Sequence, residues 1–199
     1  MRRGSFWRPG CAGIASRFSR LGTKILLSFF LGLPMKKVVY AATVAIALAV
    51  GAGAYLNTGT EAAPASTFVL LDGSKQSTAD FKGKVTLVNF WATSCVTCVA
   101  EMPKVIATYE KYKAQGYDTL AVAMSYDPPA YVVNYAETRK LPFKVAIDNT
   151  GAVARAWGDI ALTPTTFVVN KLCEVVKRYV CEPDFAALHK LIEKLLADA

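Results

Sequence analysis

Two cysteines separated by two residues, at the junction of a strand-like and a helix-like run, constrain this chain more than any other feature. Val85-Thr86-Leu87-Val88 has the apolar, β-branched character of a buried strand. Further on, Met102, Val105, Ile106 and Tyr109 recur at helical spacing and predict a helix through Lys113. Between these runs the sequence reads Asn89-Phe90-Trp91-Ala92-Thr93-Ser94-Cys95-Val96-Thr97-Cys98. Cys95 and Cys98 therefore fall where a strand ends and a helix begins. Unpaired backbone N–H groups and the positive end of the helix dipole favour an anion there. For Cys95 that anion is the thiolate, the form that attacks disulfides. Cys98, one turn on, is placed to attack a mixed disulfide formed at Cys95. The spacing points to a redox dithiol.

The remaining cysteines, Cys11, Cys173 and Cys181, bring the total to an odd five, which argues against a simple disulfide framework. Were residues 174–180 one strand, eight steps at about 3.3 Å would hold Cys173 and Cys181 about 26 Å apart. A disulfide needs Cα atoms within about 7 Å, so these two are not expected to bridge. A structural zinc site at Cys95 and Cys98 would require two further ligands. The only histidine, His189, is far along the chain and reads as a surface or half-buried helix residue.

The net charge of +8 suggests a polyanionic partner until its distribution is examined. All eight basic residues of 1–56 stand without a single acid, whereas fifteen basic and fifteen acidic residues balance from Asn57 onward. The downstream domain is formally neutral, which argues against nucleic acid as a partner. Val38–Leu56 is a run of nineteen uncharged residues preceded by Lys36-Lys37. As a helix it would reach the ~30 Å of a bilayer core. The charge asymmetry places a basic segment, 1–37, in the cytoplasm and exports the residues beyond the uncharged run. The competing reading is a cleaved signal peptide, with small-residue sites such as Ala52-Gly53-Ala54 available to a peptidase. Met35-Lys36-Lys37 itself resembles a signal-sequence start, which would make 1–34 an upstream extension. Residues 57–66 are small and polar and read as a linker. The domain proper is then 67–199.

Within it, short strands are expected at Phe68–Leu71, Thr119–Ser125 and Phe143–Ile147, and helices over Pro128–Lys140 and Phe185–Leu196. Thr165–Val169 and Val175–Val180 look like a hairpin. The alternation gives an α/β domain with a mixed central sheet flanked by helices.

The segment Gly83-Lys84-Val85, continuing through Asn89 to Cys98 and on to Val99-Ala100-Glu101-Met102-Pro103, resembles the TlpA/ResA-type, membrane-anchored branch of the thioredoxin superfamily. Leu162-Thr163-Pro164-Thr165-Thr166-Phe167 is similar to that superfamily's cis-proline loop. The likeness covers roughly 64–199. It implies a thioredoxin-like fold with an inserted strand and helix near 117–141, and thiol–disulfide exchange outside the cytoplasm. The chain also departs from the pattern. Ser94 stands where the family often has Trp, and Val96-Thr97 lacks the frequent proline. Asn89 replaces the buried Asp of cytoplasmic thioredoxins, and Cys173 and Cys181 occupy usual glycine positions.

On this reading Cys95 is the nucleophile and Cys98 the resolving thiol. Glu101, three residues after Cys98, would share its side of the helix and shuttle its proton; the plain alternative is a solvated glutamate paired with Lys104. The resemblance implies a cis Pro164 packed on the dithiol, and a Thr163 backbone that pairs with an extended substrate. Trp91 would help wall the substrate site. Pro103 is structural, and Trp157, Tyr126 and Phe167 read as core or cleft residues. No cofactor is expected beyond the Cys95–Cys98 disulfide.

Three functions compete. The first is a membrane-tethered oxidoreductase facing the periplasm. The resemblance suggests a reductant of protein disulfides, served by a transmembrane electron donor and acting in cytochrome c maturation or copper-site assembly. The second is a copper or zinc chaperone with the two thiolates as ligands, for which Met102 is the local candidate third ligand. The third is a peroxidase, which would want an arginine near a lone reactive cysteine, and none is apparent near Cys95.

Overall fold

The computed structural model describes residues 60–198, together with Thr43. Residues 60–199 form a compact unit of their own. Its elements in order are β1 (Glu61–Ala62), β2 (Thr67–Val69), β3 (Lys75–Ser77), β4 (Val85–Trp91), α1 (Val96–Tyr112), β5 (Tyr117–Ala123), α2 (Pro129–Thr138), β6 (Lys144–Ile147), α3 (Ala152–Ala156), β7 (Thr165–Val169), β8 (Glu174–Val180) and α4 (Phe185–Ala197).

Six strands form one sheet in the order β1-β8-β7-β4-β5-β6, and β2-β3 make a separate hairpin. β4, β5 and β6 run parallel, while β7 is antiparallel to β4 and β8 to β7, so the sheet is mixed as expected. β4 lies at its centre and every residue of it is buried. Period-two alternation sends Val85, Leu87 and Trp91 into one core and Val88 and Phe90 into the other. The first core takes Met102 and Val105 of α1, Val132 of α2, and Leu188 and Ile192 of α4. The second is closed by Phe68 and Phe81, with Val153 of α3 and the adjoining Trp157. Both faces of the sheet are therefore covered, as a parallel core requires.

The strand and helix expected near 117–141 are present as β5 and α2, and the predicted hairpin is β7–β8. Two differences are instructive. Glu61–Ala62, inside the expected linker, is an edge strand paired with β8 through Val175 and Glu174. Lys75–Ser77 is too polar to read as a strand, yet it pairs with β2 across the Asp72-Gly73 turn. Among the described residues no helix is long and apolar enough to cross a membrane. The uncharged 38–56 run lies outside them.

Candidate active site

The site grows from the C-terminal end of β4. Cys95 is the N-cap of α1, with extended backbone angles, and its Sγ accepts the Cys98 N–H at 3.2 Å. A sulfur in this position interacts with helix donors that have no partner within the helix. Cys95 and Cys98 are joined as a disulfide, with Cα atoms 5.2 Å apart. The two sulfurs are not equivalent. Cys95 is half-buried and can be reached from solvent, whereas Cys98 is 2% exposed. Of the two sulfurs, the one on Cys95 is therefore the more accessible to an external partner. Thr97 Oγ1 lies 3.3 Å from Cys95 Sγ.

Opposite Cys95 stands the loop before β7. The Thr163–Pro164 peptide is cis, and the Thr163 carbonyl oxygen lies 3.5 Å from Cys95 Sγ. The Pro164 carbonyl accepts the Cys181 N–H at 2.8 Å, which fastens this loop to the end of β8. Side chains around the sulfur leave an apolar rim on the surface: Val96, Leu162, Tyr126 and Val180 are all exposed. Such a rim suits docking of a polypeptide.

Glu101 is 2% exposed on α1. Asn89 Nδ2 donates to its Oε1 at 3.1 Å and also to Thr166 Oγ1 at 2.9 Å, tying α1, β4 and β7 together. Oε2 is buried without a protein partner. Burial pushes the Glu101 carboxyl up to about 7, and the nearby Glu182 charge adds to the rise. The Asn89 hydrogen bond and Lys104 oppose it. Lys104 is paired with Glu182, not with Glu101, so the solvated ion pair considered from sequence does not form.

Trp91 requires correction. It is 0% exposed in the same buried cluster as Cys98, its ring tilted against that of Tyr135 with centroids 5.1 Å apart, so it supports the site from inside and offers no surface to a substrate. Trp157 and Phe167 are core residues as read, but Tyr126 is 59% exposed beside the cis-proline loop. His189 is half-buried, with Nε2 2.9 Å from Thr108 Oγ1. Cys173 and Cys181 are both free. Among the described residues no group of three or more His, Cys, Asp or Glu is arranged to hold a metal ion.

Sequence reasoning missed Asp127. This 2% exposed carboxylate accepts the Thr93 N–H and the Thr93 hydroxyl, each at 2.6 Å, and so fixes the loop that leads into Cys95. Its position before Pro128-Pro129 was the one available signal, because a residue preceding proline is held in extended backbone.

Comparisons with known proteins agree with this geometry. Residues 58–192 match the family model described as Redoxin. The thiol-disulfide oxidoreductase ResA of Bacillus thuringiensis is 35% identical over 125 residues, covering 63% of this chain and 71% of that protein. ResA of Bacillus subtilis is 32% identical over 162 residues, 80% of this chain and 82% of the relative. Among solved structures, a putative thioredoxin from Neisseria meningitidis superposes with a TM-score of 0.66 at 41% identity, covering 71% of this chain and 93% of that one. With a half-buried and a fully buried cysteine joined at a helix N-terminus facing a cis-proline, the chain belongs to the redoxin family as a TlpA/ResA-type thiol-disulfide oxidoreductase of the thioredoxin superfamily.

Proposed function

We propose that this protein is a membrane-anchored reductant of protein disulfides, held through 38–56 with its catalytic domain on the periplasmic side. In the reduced protein, Cys95 thiolate attacks a substrate disulfide, forming a mixed disulfide and releasing one substrate thiolate. Glu101 then takes the proton of Cys98. The Cys98 thiolate attacks Cys95 Sγ, the second substrate thiolate leaves, and the Cys95–Cys98 disulfide closes. Two electrons pass to the substrate, and a transmembrane dithiol donor restores the pair. The Thr163 backbone aligns an extended substrate segment across Cys95 by strand-like pairing.

The observation that carries the reading is the placement of Cys98 and Glu101, buried together on α1. A strong oxidant owes its potential to a stabilised reduced form, above all a stabilised thiolate. Burial and a neighbouring carboxyl work against a second negative charge, which favours a reducing couple. Cytochrome c maturation or copper-site assembly supplies substrates of the right kind, protein dithiols that must be kept reduced in an oxidising compartment.

The test is an equilibrium titration of the Cys95–Cys98 couple in the full-length chain against glutathione, with the other cysteines followed separately. A potential near thioredoxin's, about −270 mV, is expected. A value near that of a strong oxidant, about −120 mV, would make the protein a disulfide donor and overturn the proposal.

A further inference from the structure

Two adjacent residues between β5 and α2 reach both sides of the attacking sulfur. Asp127 spends both carboxylate oxygens on Thr93, two residues before Cys95, and its own N–H is held by the Met124 carbonyl at 3.0 Å. Tyr126 turns the other way. Its ring stands 59% exposed, yet its hydroxyl returns to Thr163 Oγ1 at 3.2 Å. Thr163 is the residue whose carbonyl lies 3.5 Å from Cys95 Sγ. The loop carrying Cys95 and the loop facing it are thus joined through one dipeptide, which the two prolines after it hold in place.

We propose that Tyr126 and Asp127 are positioning residues that set the gap between Cys95 and the Thr163 backbone, and that the Tyr126 latch favours extended polypeptide disulfides over small ones. A small disulfide needs only the sulfur. A polypeptide must also lie along Thr163, whose side chain is held by Tyr126 while the next residue's carbonyl is held by Cys181. The Tyr126 ring, with Leu162 and Val96, gives that polypeptide an apolar wall. The inference rests on the reading of Cys95 as the attacking thiol.

The test measures second-order rate constants of the reduced full-length chain with insulin and with hydroxyethyl disulfide. Tyr126→Phe keeps the ring and removes the hydroxyl. Loss of one neutral hydrogen bond should lower the insulin-to-small-disulfide ratio about fivefold. Thr163→Val should do the same, and the double variant should fall little further, because both changes break one bond. Independent losses, multiplying to about 25-fold, would overturn the latch, as would an unchanged ratio in either single variant. Asp127→Asn should slow both substrates and shift the pH profile of Cys95 alkylation. If it fails to fold, the exposed Tyr126 variant still decides. A wild-type chain inactive on both disulfides would instead bring down the exchange reading, and this inference with it.

Discussion

The Asn89 amide donates to Oε1 of Glu101 at 3.1 Å and leaves Oε2 buried with no protein partner. A carboxylate would leave that oxygen uncompensated, and a protonated carboxyl bears less cost. Burial accordingly raises the group from its ordinary 4.5 to about 7. The folded chain then holds a proton that the unfolded chain has released between these values, so the contribution of Glu101 to stability is fully present below about 4.5 and is lost as pH rises through about 7. Glu101→Gln should flatten this slope, as read from denaturant midpoints across the window. The same substitution should slow resolution of the mixed disulfide by about 10²-fold and remove an inflection near neutrality, since it deletes a proton acceptor. A slope and a rate profile unchanged in the variant would assign the titration to another group.

Exposure separates the two sulfurs, and the cysteine variants should behave differently for that reason. Cys95→Ser should abolish exchange. Cys98→Ser should accumulate a mixed disulfide with substrate at Cys95, because the reachable sulfur still attacks and nothing resolves it. Mass spectrometry of the trapped adduct checks both. An adduct at Cys98 in the Cys95 variant would reverse the assignment.

Features written in consecutive residues were legible from sequence, and those made by distant partners were not. The apolar run of β4, the Cys95–Cys98 step from strand into helix and the closing helix are local patterns, and the structure has each of them. The two parts of Glu101's surroundings differ in this respect. Its turn of α1 follows from spacing, but its partner Asn89 is twelve residues away and Asn89's other partner, Thr166, is seventy-seven residues further along. Asp127 reaches Thr93 across thirty-four positions, and Lys104 reaches Glu182 across seventy-eight. No periodicity encodes such pairs. β1 and β3 escaped detection for a related reason. Glu61–Ala62 and Lys75-Gln76-Ser77 have little intrinsic strand preference and are held by their neighbours, β8 and β2.

Cys173 and Cys181 both adopt the left-handed conformation, with φ of 62° and 70°. The Cβ of an L-residue is disfavoured there by about 1–2 kcal/mol, a cost glycine escapes. Glycine also gives the unfolded chain more freedom, which offsets about half of the gain. Cys181 is exposed, so Cys181→Gly should stabilise the domain by about 0.5–1 kcal/mol, read as a higher denaturant midpoint. Cys173 packs against the second core and touches the Thr78 carbonyl at 3.6 Å. Its replacement by glycine should gain less, since lost packing opposes the relief. A Cys181→Gly variant less stable than the parent would show that the thiol makes a contact of greater worth than the backbone strain.

The Lys104–Glu182 pair lies on the surface above Glu101, and its two charges pull the buried carboxyl in opposite directions. As an exposed pair it should contribute about 0–1 kcal/mol to stability, so either partner can be neutralised with the fold intact. Glu182→Gln removes a charge that raises Glu101, and the titration near 7 should move down toward 4.5. Lys104→Gln removes a charge that lowers it, and the titration should move up. The two variants therefore shift the pH profile of disulfide resolution with opposite signs, and salt should shrink both shifts, because the charges interact through a partly solvated surface. Carbon-13 labelling of the glutamate carboxyls would follow Glu101 directly by NMR. Shifts of the same sign in both variants would mean that the pair acts on Glu101 by holding α1 against the end of β8 rather than by its charge.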